Sequence, residues 1–200
     1  MALSWEAPHA QLRRFSGLRS VFLDRDGVIN RKLPEGQFVT SWRQFELLPG
    51  VPEAIARLNR SSLLVLVVSN QRGIASGLYS VADVEAIHGR LQQELGPCGA
   101  HVDGFYFCPH APGECNCRKP LPGLFQQALA EFPQIDPSTS VMIGDSLADM
   151  KFGGQLGMKT VLIADEATPP DHAPPNIEDA RALADFHFRS LPEAVDYLLS

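Results

Sequence analysis

Five short apolar runs, each ended by a polar or small residue, constrain the fold of this chain more than any other feature. They are Val21-Phe22-Leu23 before Asp24, Leu63 to Val68 before Ser69, Phe105-Tyr106-Phe107 before Cys108, Val141-Met142-Ile143 before Gly144, and Val161-Leu162-Ile163 before Ala164. None alternates apolar with polar residues, so none suits a sheet with one wet face. Unbroken hydrophobicity over strand length fits parallel strands covered on both sides.

Helical segments separate these runs: Val51–Asn59 after Pro49-Gly50, Val81–Leu95 after Ser80, Leu124–Glu131 after Pro122-Gly123, Leu147–Gly153, and a last helix at Pro192–Leu199. Ser80 with Asp83 and Ser190 with Glu193 have the spacing of a capping box, and Pro192 falls harmlessly in a first turn. Strands alternating with helices predict an α/β fold built on a doubly wound, mainly parallel sheet.

Two stretches break the rhythm. Residues 30–45, with Pro34-Glu35-Gly36, are too long for an ordinary strand-to-helix loop, so a small hairpin or a flap over a site is expected there. Residues 165–175 are rich in proline and acid and read as a surface excursion. The sheet and its helices use most of the 200 residues, which predicts one domain over 19–200, no large cap domain, and a flexible segment at 1–18. The first twenty residues hold Arg13, Arg14 and Arg19 against Glu6, with no apolar h-region of a signal peptide.

Charge narrows the partners. With 17 Lys+Arg against 23 Asp+Glu the net charge is -6, which argues against a general nucleic-acid or anionic-membrane surface, since both need clustered cations. No apolar run approaches the roughly 18 residues that span a bilayer. A small ligand is expected, and a monomer is the expectation for oligomeric state. Cys108, Cys115 and Cys117 lie within ten residues of one another and beside His110, a metal pattern more than a disulfide framework. Reduced thiols then point to a cytoplasmic setting. Cys98 stands outside the pattern, and His88, His101, His172 and His187 read as surface or satisfied histidines.

In an open α/β sheet, ligands bind beyond the carboxyl ends of the strands. There the chain places Asp24 and Asp26 after the first run, Ser69 after the second, and Asp145 after Val141–Gly144. Taken singly, each is an ordinary turn residue. Gathered in one crevice, the carboxylates need either a shared proton or a divalent cation, and oxygen ligands of this kind suit Mg2+.

Asp24-Arg25-Asp26-Gly27-Val28, Ser69-Asn70-Gln71, Lys119-Pro120 and Gly144-Asp145-Ser146-Leu147-Ala148-Asp149 resemble, in that order, the four motifs of the haloacid dehalogenase superfamily of phosphatases. The likeness runs from about residue 20 to 165 and is strongest to the subgroup of heptose-bisphosphate and histidinol-phosphate phosphatases. It implies that Asp24 attacks phosphorus, that Asp26 serves as general acid and then base, and that Ser69 and Lys119 bind the transferring phosphoryl oxygens. It further implies that Mg2+ is held by the Asp24 carboxylate, the Asp26 carbonyl and the Asp145 carboxylate. Asp149 would be a metal ligand or, by preference, an orienting group.

Cys108, His110, Cys115 and Cys117 together offer a closed Cys3His site for a structural Zn2+, and their spacing resembles the zinc loop, 108–117, of that subgroup. Arg118 and Lys119 follow directly, so a fixed loop would hold both cations over the crevice. Asn70, Gln71, Arg72, Arg118 and Ser146 are the expected substrate contacts, with Arg31 and Lys32 as further cations for a second anionic group. Ser69 to Gly77, through Gly73-Ile74-Ala75, is more like the heptose-bisphosphate enzymes. It departs from them at Arg72, and Ser146 stands where such an enzyme carries a lysine. The expected activity is therefore an Mg2+-dependent phosphomonoesterase acting on a small phosphorylated metabolite, first a heptose bisphosphate and second histidinol phosphate. A nucleic-acid end phosphatase and a catalytically silent binder are the remaining alternatives.

Overall fold

The structure, a computed structural model, describes residue 15 and residues 17–164 and 176–200. Six strands form one all-parallel sheet: β1 (Ser20–Leu23), β2 (Leu64–Asn70), β3 (Gly104–Cys108), β4 (Ser140–Gly144), β5 (Lys159–Ile163) and β6 (Phe186–Phe188), in the order β3-β2-β1-β4-β5-β6. Helices α1 (Val51–Arg60), α2 (Val81–Leu95), α3 (Gly123–Glu131), α4 (Leu147–Leu156), α5 (Ile177–Leu183) and α6 (Leu191–Leu198) connect or flank them.

The two-residue period of a strand divides each apolar run between the faces. Val21 and Leu23 of β1, Val65 and Val67 of β2, and Val141 and Ile143 of β4 enter one core with Ile55 and Leu58 of α1, Leu91 of α2 and Leu191 of α6. Phe22, Leu66, Val68 and Met142 point the other way, onto Leu124 and Phe125 of α3 and Phe152 of α4. Both faces are therefore covered, which is why the strands carry no polar alternation.

All five expected strands form. The sixth, β6, and helix α5 were not anticipated. Phe186-His187-Phe188 is an alternating three-residue edge strand, too short to be distinguished from a loop by periodicity. Helix α4 runs on to Leu156, past the expected Gly153, and Gly153 lies against β4, where a Cβ would sit 2.8 Å from Met142 Cβ. The Ser80–Asp83 capping box is present in full. At α6, Glu193 N–H bonds Ser190 Oγ, but the Glu193 carboxylate returns to Arg189 N.

The long connection after β1 is a flap without strands. Its neck is an isolated antiparallel bridge between Asn30 and Leu47, reinforced by Arg31 N–H to the Glu46 carbonyl at 2.8 Å, and its only regular element is a 3-10 turn at Trp42–Gln44. The expected excursion at 165–175, with His172, lies outside the described residues. So does most of the 1–18 segment, of which Phe15 and Leu18 pack against the first core. Among the described residues, no helix is long and apolar enough to cross a membrane.

Candidate active site

The sheet order reverses at β1, whose neighbours β2 and β4 run on to opposite edges. This is the switch point at which an open parallel sheet leaves a crevice. Asp24 leaves β1 with its N–H on the Ile143 carbonyl of β4 at 2.9 Å, Ser69 is near the end of β2, and Asp145 follows β4. A cavity of about 290 Å3 opens here, walled by Asp24, Asp26, Ser69, Lys119 and Asp145 on the sheet side and by flap residues 32–39 opposite.

Lys119 is the buried cation of the site. Its Nζ lies 3.0 Å from Asp24 Oδ1 and 2.5 Å from Asp149 Oδ1, and it donates to the Val68 carbonyl at 2.6 Å. Burial works against its charge, but Asp149 and Asp24 more than reverse that and raise its pKa. Asn70 clamps the lysine backbone at two points: its Nδ2 donates to the Lys119 carbonyl at 3.1 Å, and Lys119 N–H donates to its Oδ1 at 2.9 Å. The Asn70 amide therefore places the lysine, in addition to lining the cavity.

Asp149 is fully buried, with Oδ1 on Lys119 and Oδ2 accepting from Ser146 N–H at 3.1 Å and Ser146 Oγ at 2.5 Å. Its two oxygens are thus occupied, which fits the orienting role. Ser146 is correspondingly engaged at the head of α4. Gly144 makes the arrangement possible, since a Cβ there would lie 2.2 Å from Asp149 Cβ.

Burial pushes the Asp24 carboxyl up to about 7 against the pull of Lys119, with Asp149, Asp145 and Asp26 adding repulsion. Burial acts in the same direction on Asp26, yet its pKa is lowered. Arg25 Nη2 bonds both its oxygens at 2.9 and 2.8 Å, Asn30 Nδ2 adds a bond at 2.9 Å, and Gln71 Nε2 another at 3.0 Å. Gln71 also donates to Ser69 Oγ at 2.7 Å and accepts from Tyr79 Oη at 2.7 Å. Neither Arg25 nor Tyr79 was singled out in the sequence. A charged side chain directly after Asp24 gave no signal that it would turn inward and be almost wholly buried.

A divalent cation fits this donor set. Asp24, Asp145 and Asp149 can each bring one carboxylate oxygen within 4.8 Å of the others, and Asp145 Oδ1 is buried with no hydrogen-bond partner. The other oxygen of Asp145 pairs with Lys32 Nζ of the flap at 2.6 Å. Burial raises the Asp145 pKa despite that partner. Gly27 is required beside it, because a Cβ at that position would meet Asp145 Oδ2 at 2.2 Å. Arg31, in contrast, pairs outside with Glu46 at 2.9 Å.

Four sulfur and nitrogen donors also converge. Cys108 Sγ is 3.5 Å from Cys115 Sγ, Cys115 is 3.3 Å from Cys117, and His110 Nδ1 is 3.3 Å from Cys117 Sγ and 3.8 Å from Cys108 Sγ. Zn–S bonds of about 2.3 Å give tetrahedral edges of about 3.7 Å, so the donors are spaced for Zn2+. Gly123 lets α3 close on this loop, as a Cβ there would lie 2.7 Å from Cys117 Cα. Arg118 and Arg72 both line the cavity, and Arg118 Nη1 is buried without a partner.

Among the described residues, the other histidines stay apart from these clusters. His101 pairs with Asp103 at 3.3 Å, and His187 Nε2 contacts the Arg181 carbonyl at 2.8 Å. His88 is buried and stacked on Phe105, but its Nε2 has no partner, so the expected satisfied or surface histidine is here an unsatisfied one. Cys98 is an exposed free thiol.

Carboxylates, a buried lysine and a hydroxyl gathered at the switch point of a parallel sheet define a phosphoryl-transfer site of the α/β hydrolytic kind, and comparison with known proteins agrees. The HAD-hydrolase-like family matches residues 116–191. The chain is 46% identical over 132 residues to D-glycero-alpha-D-manno-heptose-1,7-bisphosphate 7-phosphatase of Mycobacterium tuberculosis, covering 66% of this chain and 69% of that protein. It is 35% identical over 188 residues to D-glycero-beta-D-manno-heptose-1,7-bisphosphate 7-phosphatase of Vibrio cholerae, covering 90% and 96%. The solved D,D-heptose 1.7-bisphosphate phosphatase from B. bronchiseptica, complexed with magnesium and phosphate, superposes with a TM-score of 0.77 at 31% identity over 91% of this chain and 98% of that one. The chain belongs to the HAD-like hydrolases, among the phosphatases that these relatives represent, and is a phosphoric monoester hydrolase.

Proposed function

We infer that this protein removes the 7-phosphate from a D-glycero-D-manno-heptose 1,7-bisphosphate through an aspartyl-phosphate on Asp24. The observation that carries the reading is the buried Lys119, held between Asp24 and Asp149 at the point where β1 and β4 open the crevice. The names of the relatives supply the substrate. Relatives named for each anomer match, and the α-named ones do so at the higher identity, 46% against 35% to 38%, so the α anomer is the one we propose.

In this reading an Asp24 oxygen attacks phosphorus and the bond from phosphorus to the C7 oxygen breaks. Asp26 gives its proton to the departing alkoxide. The resulting Asp26 carboxylate then takes a proton from water, which attacks the aspartyl-phosphate, releases inorganic phosphate and restores Asp24. Lys119 and Ser69 meet the phosphoryl oxygens as charge redistributes. For its proton transfers Asp26 must part from at least one of its donors, because Arg25, Asn30 and Gln71 hold it as a carboxylate. Asp24, Asp145 and the Asp26 carbonyl would hold Mg2+, whose charge, when bound, offsets the repulsion between nucleophile and phosphate.

Cys108, His110, Cys115 and Cys117 would hold a structural Zn2+ that keeps Arg118 and Lys119 in register with the crevice. Such a thiolate site belongs in a reducing compartment, which is the cytoplasmic setting we assign. The test is kcat/KM with Mg2+ for both anomers of heptose 1,7-bisphosphate and for histidinol phosphate. The α bisphosphate should be preferred, whereas preference for histidinol phosphate would replace the substrate and leave the chemistry.

A further inference from the structure

The cations of the cavity fall into two sets. Lys119 and Lys32 are committed to carboxylates at the catalytic end. Among the described residues neither Arg72 nor Arg118 forms an ion pair, and both line the same cavity. A phosphomonoester group uses the catalytic end alone, so charge at the rim has work only if the substrate carries a second anion.

The backbone that carries Arg72 is built firmly. Ile74 N–H bonds the Gln71 carbonyl at 3.2 Å, Ser76 N–H bonds the Arg72 carbonyl at 3.3 Å, and Leu78 N–H bonds the Gly73 carbonyl at 3.0 Å. Gly73 admits the Tyr79 ring, which a Cβ would meet at 2.2 Å. The Arg72 guanidinium extends from this turn over the ring of Phe38 in the flap, 5.6 Å from its centroid. Phe38 in turn tilts against Tyr79 at 6.0 Å, and Tyr79 bonds Gln71, which touches both Asp26 and Ser69. The rim cation, the flap and the acid/base carboxylate are thus joined by contiguous contacts.

We propose that Arg72, braced on Phe38, is a specificity-determining residue that binds the second phosphate of the substrate and fastens the flap over it. A guanidinium on an aromatic face keeps its N–H edges free to bond an anion in its plane, so bracing and binding are compatible. The proposal rests on the bisphosphate reading above.

The experiment compares heptose 1,7-bisphosphate with heptose 7-phosphate by phosphate release, in the wild type, Arg72→Ala, Arg72→Lys and Phe38→Leu. The wild type should prefer the bisphosphate. In Arg72→Ala that preference should fall by about tenfold or more, the size of a lost charge-assisted contact, and mainly through KM for the bisphosphate. Arg72→Lys should keep part of it, and Phe38→Leu should lose part of it, since the bracing ring is gone. If Arg72→Ala slows both substrates by one factor, or neither, Arg72 does not read the second phosphate, and the bisphosphatase reading stands without it. If the wild type hydrolyses neither compound, the functional reading itself fails and takes this proposal with it.

Discussion

Lys119 Nζ lies 2.5 Å from Asp149 Oδ1 and 3.0 Å from Asp24 Oδ1, so one buried ammonium joins the proposed nucleophile to a second, fully buried carboxylate. In the proposed mechanism Asp149 acts through Lys119. Asp149→Asn should therefore lower kcat roughly 10–100-fold, as loss of an orienting partner does. It should also cost about 3 kcal/mol in urea unfolding, because it strips a buried cation of one of two counter-charges. Full activity in a stably folded variant would remove Asp149 from the positioning role.

Asp24→Asn should reduce turnover by at least roughly 10^4-fold, the scale on which loss of a nucleophile is felt. Folding should be little changed: the substitution takes a counter-charge from Lys119, but burial and the repulsion from Asp149, Asp145 and Asp26 outweigh that pull on the Asp24 carboxylate, and the side-chain shape is kept. Circular dichroism and intact-mass analysis after mixing with substrate check both halves: the wild type should trap a phosphorylated species and the variant none.

Cys115→Ala should take bound zinc from one equivalent to none by elemental analysis and lower the melting temperature by several degrees. The loop that follows β3 has little else to hold it, and Cys117 is tied to Cys115 at 3.3 Å. Unchanged zinc stoichiometry would contradict the ligand set.

His88 makes stability depend on pH in a defined direction. Burial, with Arg25 nearby, lowers its pKa from 6.5 to about 3. The unfolded chain then takes up a proton below about 6.5 that the folded chain refuses until about 3. This contribution to stability is fully present above pH 6.5 and falls by about 1.4 kcal/mol per pH unit as the pH drops through that window. His88→Gln should remove this part of the slope, measured as the difference between variant and wild type in urea titrations from pH 7 to 5. Parallel profiles would show that His88 is not buried in its neutral form.

Gly144→Ala should destabilise by about 3 kcal/mol and abolish activity, since the new methyl group collides with Asp149 Cβ at 2.2 Å and both atoms are anchored to backbone. Urea unfolding with a parallel activity assay checks this, and wild-type behaviour would contradict the close approach.

Much of this was legible in the sequence, and the rest was hidden for physical reasons. Unbroken apolar runs such as Leu63 to Val68 could only be buried on both faces, and they form β1 to β5. Polar residues at their ends, from Asp24 to Asp145, fell into one crevice because every strand runs the same way. The cysteine spacing foretold the convergence of Cys108, His110, Cys115 and Cys117. What sequence could not reveal was which polar groups bond to one another. Asn70 and Gln71 stood as substrate contacts, yet their amides are engaged with Lys119, Asp26 and Ser69. Arg25 carries a charge that composition places outside, and the neighbouring Asp26 carboxylate, 2.8 Å away, offsets the cost of keeping it in. β6 escaped because an edge strand of three residues has no period to read.

The central claim is the removal of one particular phosphate, and the regiochemistry of a single turnover tests it most directly. With Mg2+ and α-heptose 1,7-bisphosphate, phosphorus NMR of the products should show one equivalent of inorganic phosphate and heptose 1-phosphate. Heptose 7-phosphate as the product, or an unchanged bisphosphate with folded and metal-loaded protein, would contradict it.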